Sequence, residues 1–126
     1  MKRIFYYTDV LPLLTKGDKA IGKLKENLLF FREHQDEISL VWHPFLQTVE
    51  YLQKNGSDVY EDFLEVYRWF ISEGFGELDE SEDVISVVRA CDGYYGDASD
   101  LAWYACDSGS PALLIDYDVH TDAQDE

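Results

Sequence analysis

The chain is poor in positive charge. Its 10 lysines and arginines oppose 26 aspartates and glutamates, which gives a formal net charge of -16 at pH 7. Such a charge repels the phosphate backbone of DNA and RNA, so nucleic acid is not expected as a partner. The chain also lacks a run of about 20 apolar residues and a signal-peptide pattern at its N-terminus. These absences predict a cytoplasmic protein without a transmembrane segment.

Several motifs that assign chemistry are absent as well. The sequence has no G-x-G-x-x-G, no Walker-type Gly-Lys-Ser, no G-x-S-x-G elbow and no HExxH. Dinucleotide-binding, P-loop, hydrolase and zinc-protease functions therefore lose their main support. The two cysteines, Cys91 and Cys106, lack metal-ligand spacing and are expected to be reduced, buried thiols. Neither a metal site nor a cofactor is predicted.

Apolar residues, by contrast, are plentiful. The 126 residues are 46% hydrophobic and 15% aromatic, which suits one domain with a substantial core but not two domains. We expect this domain to span residues 1–118. Residues 119–126 form an acidic tail with few apolar groups, and we expect this tail to be disordered.

Strand and helix patterns alternate along the chain. The predicted strands are residues 3–10, which a proline-containing loop follows, and then 38–42, 75–78, 93–95 and 112–115. Of these, 38–42 and 112–115 are expected to be buried strands. Helices are predicted to begin at Asp18, at Ser57 or Asp58, at Ser81 and at Ala98. This alternation indicates a parallel sheet with helices on both faces and right-handed crossovers. The predicted fold is therefore α/β, a three-layer Rossmann-like single domain with about five parallel strands.

The helix that starts near Asp58 has the clearest apolar periodicity. Glu61 lies at capping-box spacing from Asp58, and Gly74 is the predicted end of the helix. Its buried face is expected to consist of Tyr60, Phe63, Leu64, Tyr67 and Ile71. A shorter amphipathic segment, residues 45–54, precedes it.

Ligands of open parallel sheets bind at the carboxyl ends of the strands, where helix N-termini present free N–H groups. Three loops are predicted to lie at that edge, and they contain Thr8, His43 and residues 96–99. In the last loop, Gly96 permits close backbone approach, and Ser99 offers a hydroxyl and an N–H to a phosphate oxygen. Two alternatives stay open: residues 96–99 form an ordinary capped turn, and His43 is a structural histidine.

The run GELDESEDVISVVRACDGYYGDASDLAWYACDSGSPALLI, residues 76–115, resembles the C-terminal half of the bacterial CDP-glycerol glycerophosphotransferase-like proteins, relatives of the teichoic acid polymerases. That group has an Asp-(Ala/Gly)-Tyr-Tyr-Gly-Asp-x-Ser-Ser segment, a short helix and then Gly-Lys-Pro. The first strand with Tyr7-Thr8 and the Trp42-His43-Pro44 element also fit. The resemblance covers residues 3–116 and is most specific over 92–101.

The resemblance implies a GT-B architecture, in which two Rossmann-like domains face each other and the C-terminal one holds the nucleotide-diphosphate donor. This chain then corresponds to that C-terminal domain, with CDP-glycerol or a nucleotide sugar as donor. The resemblance implies no metal for donor binding, and it leaves the catalytic residues unassigned. A missing N-terminal half is the implied partner, without which little turnover is expected. The residues expected to contact phosphate are Thr8, His43, Gly96, Asp97, Ala98 and Ser99.

Three positions differ in charge from the family pattern. Asp100 stands where the family has the second serine, and Ser110 stands where it has the lysine of Gly-Lys-Pro. His43 supplies one basic residue where the family has two. These differences leave a second hypothesis open, a degenerate, non-catalytic α/β module for protein interaction or regulation. Its candidate contact residues are Tyr94, Tyr95, Trp103 and Tyr104.

Overall fold

A computed structural model describes residues 1–55 and 57–115. Its strands are β1 (Lys2–Thr8), β2 (Ile38–Pro44), β3 (Glu77–Leu78), β4 (Gly93–Gly96) and β5 (Ala112–Leu114). Its helices are α1 (Val10–Lys16), α2 (Asp18–Glu33), α3 (Thr48–Lys54), α4 (Tyr60–Glu73), α5 (Val84–Arg89) and α6 (Asp100–Asp107). The predicted tail, 119–126, and the last residues of the predicted domain, 116–118, lie outside the described residues.

The sheet has five strands in the order β3-β2-β1-β4-β5, and every neighbouring pair is parallel. From β1 the chain extends the sheet through β2 to β3, and it then crosses to the other side of β1 for β4 and β5. Helices α2 and α4 pack on one face of the sheet, and α5 and α6 pack on the other. The structure thus confirms the predicted α/β fold, a Rossmann-like domain with a five-stranded parallel sheet.

Most of the core lies between the sheet and helices α2 and α4. On α2, residues Leu24 and Leu28 are fully buried, in keeping with their spacing of four residues. A polar contact crosses this core: Asn27 donates to the Tyr6 hydroxyl at 3.2 Å and accepts from the Tyr95 hydroxyl at 3.1 Å. The buried amide of Asn27 therefore has partners on both strands beneath it.

A helix stands where the sequence predicts a loop after the first strand. Helix α1 forms because the Asp9 carboxylate accepts hydrogen bonds from the N–H groups of Val10 and Leu11, at 2.7 and 3.4 Å. Pro12 lies in the first turn, where its missing N–H has no intrahelical partner to lose. The next helix begins after Gly17, so Asp18 is its first residue rather than its cap.

The predicted buried face of α4 is confirmed in part: Phe63 is buried, and Tyr60 and Tyr67 are partly buried against the core, but the centre of the face is shifted. The residues of this helix that are buried are Phe63, Val66 and Phe70, whereas Ile71 is 53% exposed. Trp42 of β2 selects this face, because its ring makes an edge contact with Phe70 at a centroid distance of 5.0 Å. The predicted cap Asp58 makes no capping bond, and the predicted end at Gly74, with a left-handed backbone, is confirmed.

Other predictions of burial and of helix start are also corrected. Strand β5 forms one edge of the sheet, and Leu113 is 65% exposed instead of buried. Cys106 is exposed on α6, whereas Cys91 is buried as predicted. Helix α5 begins after Asp83 rather than at Ser81. Edge position and helix phase account for these differences, and both depend on contacts far away in sequence.

We predict that Leu28→Ala lowers the free energy of unfolding by about 2–5 kcal/mol, because the removed atoms leave a cavity between α2 and the sheet. The matched control is its neighbour on the same helix: Leu29 is 40% exposed, and Leu29→Ala should cost less than about 1 kcal/mol. Urea denaturation followed by circular dichroism measures both values. Equal losses in the two variants would contradict the described core.

Candidate functional site

The sheet changes direction at β1, which makes its carboxyl edge the natural place for a ligand. The loop after β1 leads to helices on one face, while the loop after β4 leads to α6 on the other. In open α/β sheets a crevice opens where two such loops diverge. Here the loops contain Asp9 and residues 97–99.

Gly96 ends β4 in direct contact with β1. Its φ is +143°, and a Cβ atom at this position would lie 2.1 Å from the backbone oxygen of Tyr7. That separation is far below any van der Waals contact, so only glycine fits. The close approach that the sequence suggests for Gly96 is thus made to a protein strand.

Asp97 ties the two loops together. Its N–H donates to the Tyr7 carbonyl at 3.0 Å, and its buried carboxylate accepts the N–H of Asp9 at 2.7 Å. The Tyr94 hydroxyl donates to the backbone oxygen of Asp97. Asp97 therefore fixes the spacing of the β1 and β4 loops and does not cap α6.

Ser99 is the cap of α6. Its hydroxyl oxygen accepts the N–H of Leu101 at 3.2 Å and lies 3.0 Å from the Tyr94 hydroxyl oxygen. Within the described residues, the N–H groups of Ala98, Ser99 and Asp100 make no hydrogen bond. Both Ala98 and Asp100 are exposed. The turn therefore presents consecutive backbone donors beside the positive end of a helix.

His43 is held from the side opposite to this turn. The parallel register of β2 and β3 makes Asp79 its lateral neighbour, and the His43 Nδ1 lies 2.9 Å from Asp79 Oδ2. The same carboxylate oxygen accepts the Ser81 hydroxyl at 3.2 Å, while the Asp79 N–H donates to the Trp42 carbonyl at 2.8 Å. Both side chains of the His43–Asp79 pair are buried.

Asp79 and Ser81 are not among the residues that the sequence predicts for the site. The available signal was that Asp79 directly follows a strand, as Asp9 and Asp97 do. Strand β3 ends at Leu78, as the sequence predicts, but the pairing register that brings Asp79 beside His43 is not given by sequence periodicity. Because Ser81 contacts Asp79 and not His43, these three side chains do not form a Ser-His-Asp nucleophile arrangement.

Tyr7 lies between His43 and the β4–α6 turn. It pairs with His43 on one side and Gly96 on the other, so those two residues are about 10 Å apart across two strand spacings. Burial, then the negative charge of Asp9, raises the pKa of Tyr7. Burial also raises the pKa of Tyr94, with Asp97 adding to the shift. Both hydroxyls therefore remain protonated at neutral pH and act as hydrogen-bond donors.

Two residues that the sequence links to the site lie elsewhere. The Thr8 hydroxyl accepts the indole N–H of Trp42 at 3.0 Å, on the face covered by α2 and α4. Ser110 lies before β5, at the amino edge of the sheet, where its hydroxyl donates to the Cys91 carbonyl at 3.0 Å. Because Ser110 lies far from the β4–α6 turn, the serine in place of the family's lysine does not change the charge at that turn, contrary to what the sequence comparison suggests.

The carboxyl edge is rich in carboxylates. Asp9, Asp79, Asp97 and Asp100 lie at its loops, and His43 is the side chain there that can carry a positive charge. No group of three or more His, Cys, Asp or Glu side chains in residues 1–55 and 57–115 is arranged to hold a metal ion. Among the helices described, none combines the length and apolarity that crossing a bilayer requires.

A larger concavity lies away from this edge. It has a volume of about 800 Å³ and opens where α2 stops short of covering β4 and β5. Its walls are mainly apolar and include Phe30, Tyr95 and Leu113. Neither His43 nor a residue of the β4–α6 turn lines the concavity. Tyr94 lines it and also contacts Ser99 of the turn.

Comparison with known proteins gives no match: no protein-family model, curated protein sequence or solved structure resembles the chain. The likeness of residues 76–115 to glycerophosphotransferase-like proteins therefore stays a prediction from sequence. The geometry of the carboxyl edge is the remaining guide to function.

We predict that Gly96→Ala destabilises the fold by more than about 3 kcal/mol, because backbone strain alone costs about 1–3 kcal/mol and the contact with Tyr7 adds to it. Gly109 is the matched control: its φ is also positive, at +90°, but a Cβ would meet nothing within 4 Å. Gly109→Ala should cost about 1 kcal/mol. Thermal and urea unfolding measure both, and similar costs would contradict the close β1–β4 contact.

We also predict a loss of stability at alkaline pH. A tyrosine whose pKa is raised by folding stabilises the folded state fully below its ordinary pKa of 10.0, and that contribution disappears as the pH rises through the folded-state value. Tyr7 and Tyr94 are of this kind, and burial with the nearby Glu80 raises the pKa of Tyr67 to about 12. Tyrosinate absorbance and circular dichroism should therefore show ionisation of Tyr7 and Tyr94 together with unfolding. Their ionisation near pH 10 in a folded protein would contradict the described burial.

Proposed function

We propose that this chain is a nucleotide-diphosphate-binding domain of a cytoplasmic glycerophosphotransferase or glycosyltransferase that builds a cell-envelope polymer. The donor, CDP-glycerol or a nucleotide sugar, binds at the carboxyl edge between β1 and β4. The diphosphate lies at the β4–α6 turn and His43 lies on the far side of Tyr7. As a single domain the chain holds a donor and does not complete the transfer.

The observation that carries the proposal is the set of unpartnered N–H groups at Ala98, Ser99 and Asp100. Consecutive backbone donors at a helix N-terminus bind phosphate oxygens without any cationic side chain. The strand order supports the same place, because ligands of open α/β sheets bind at the carboxyl edge where the strand order reverses, here at β1. The resemblance of residues 92–101 to the transferase segment supports the identity of the ligand.

The chemistry available to His43 also supports a transferase. A leaving nucleotide develops negative charge, and an imidazole N–H directed at it stabilises that charge. Two of the carboxylates at this edge, those of Asp97 and Asp9, accept backbone N–H groups and are therefore already hydrogen-bonded within the domain. An acceptor site and a general base are not assigned to this chain, in keeping with a separate domain that supplies them.

The test is a titration of the ¹⁵N-labelled protein with CDP, CDP-glycerol and cytidine, followed by NMR. CDP and CDP-glycerol should shift the amide signals of Ala98, Ser99 and Asp100, whereas cytidine, which lacks phosphate, should leave them in place. Unchanged amide signals of the turn with millimolar CDP would refute the proposed site.

We predict that Asp100→Asn tightens CDP binding about fivefold. A unit charge at about 4 Å from a phosphate contributes about 1 kcal/mol of repulsion in water, and the amide removes it. Asp107→Asn is the matched control, since this substitution removes the same charge at the other end of α6. Isothermal titration calorimetry compares the two, and equal effects would show that Asp100 does not face the bound diphosphate.

The second hypothesis, a non-catalytic interaction module, has one observation in its favour. Trp103 on α6 is 61% exposed, and its ring packs edge-on against Tyr104 at 5.2 Å. Of the other aromatic residues proposed as contacts, Tyr94 is buried. The module reading is favoured if CDP leaves the β4–α6 turn unaffected while Trp103→Ala abolishes binding to a protein partner.

A further inference from the structure

The His43–Asp79 pair has a geometry that a structural histidine does not require. Parallel pairing of β2 with β3 ends at Trp42 and Leu78, so the next residues on each strand are His43 and Asp79. The Asp79 N–H continues the ladder to the Trp42 carbonyl at 2.8 Å. The carboxylate is therefore placed by backbone hydrogen bonding, independently of the imidazole.

Three contacts fix the imidazole ring. Its Nδ1 lies 2.9 Å from Asp79 Oδ2, and its faces stack on Phe5 and Tyr7 at centroid distances of 5.7 and 6.0 Å. An ionised carboxylate accepts hydrogen bonds and cannot donate them, so this contact requires the imidazole proton to be on Nδ1. Ring position, ring plane and tautomer are thus all set by neighbours.

The second ring nitrogen is left available. Within residues 1–55 and 57–115, Nε2 of His43 makes no hydrogen bond, and no buried side-chain nitrogen or oxygen lacks a partner. Nε2 therefore reaches solvent, although His43 as a whole is 4% exposed. The one accessible polar atom of a buried ring lies at the carboxyl edge, next to the proposed ligand site.

We propose that Asp79 is a positioning residue for His43. Asp79 holds the proton on Nδ1 and presents Nε2 at the carboxyl edge, where the neutral ring accepts a hydrogen bond and the charged ring donates one. Ser81 donates to the same carboxylate oxygen at 3.2 Å, an added contact to a side chain that the β2–β3 pairing already places beside His43. The contact of Nε2 with a nucleotide rests on the proposed function, whereas the tautomer does not.

The first measurement is the ¹⁵N NMR spectrum of the His43 imidazole at a pH where the ring is neutral. Wild-type protein should show the proton on Nδ1, the form that free imidazole side chains disfavour. Asp79→Ala should return His43 to the Nε2–H form, and Ser81→Ala should keep the wild-type form. Glu80→Gln is the matched control, because it removes an adjacent exposed carboxylate that does not contact the ring.

The second measurement is the affinity for CDP at a pH where the imidazole is charged, because only the charged ring donates from Nε2 to a phosphate oxygen. Asp79→Asn keeps the shape of the side chain and should weaken binding about tenfold, the size of effect that partners of functional histidines have at metal sites. His43→Gln should lose as much, and the double variant should lose no more than either one. Amide spectra of each variant verify that it is folded.

The outcomes are distinct. A wild-type His43 with its proton on Nε2 overturns the proposal, and so does an Asp79→Asn variant that binds CDP as tightly as wild type. If CDP binds neither protein, the proposed nucleotide site fails, and the tautomer alone decides the role of Asp79. Should Asp79→Ala not fold, the wild-type tautomer and the Asp79→Asn affinity still decide it.

Discussion

The contact between Gly96 and the backbone of Tyr7 determines the arrangement of the carboxyl edge. A side chain at this position has no room, since its Cβ would lie 2.1 Å from the Tyr7 oxygen. The absence of a side chain lets the Asp97 N–H donate to that same oxygen and brings the Asp97 carboxylate to the N–H of Asp9. One steric constraint thus sets the distance between the β1 and β4 loops, and with it the position at which α6 begins.

The residues beside this contact form a row across the sheet. His43, Tyr7 and Gly96 are lateral neighbours on β2, β1 and β4, and Asp79, the residue directly after β3, continues the row on the other side of His43. Because side chains of a strand alternate between faces, their neighbours Trp42 and Thr8 contact each other on the opposite face. A shift of one residue in the β2–β3 register would separate His43 from Asp79, so the pair depends on the packing that fixes this register.

Local patterns in the sequence were sufficient for the fold class and for most elements, because alternating strands and helices constrain a parallel sheet strongly. They were not sufficient for features that depend on distant contacts. The buried face of α4 is chosen by Trp42, and the exposure of Leu113 follows from the edge position of β5. Likewise, Ser99 rather than Asp97 caps α6, because Asp97 is held by Asp9 from a loop 88 residues away in sequence. Site residues at predicted strand ends, such as His43, could be found. Asp79 also follows a predicted strand end, at Leu78, but its pairing with His43 depends on the β2–β3 register, which local sequence patterns do not show.

The charge distribution bears on what a ligand can gain at this edge. Six of the ten basic residues lie within the first 25 residues, so four remain to offset the 24 acidic residues that follow. In the proposed function, a diphosphate at the β4–α6 turn would therefore be held by backbone N–H groups within a field that repels it. Uncharged donors orient phosphate but supply less attraction than arginine or lysine, which form charge-assisted hydrogen bonds. The remaining affinity in the proposed function has to come from the nucleoside and from a second domain that closes over the donor. The proposed function accordingly assigns this domain the task of positioning a donor for a partner, since its charge balance disfavours the capture of a diphosphate by this domain alone.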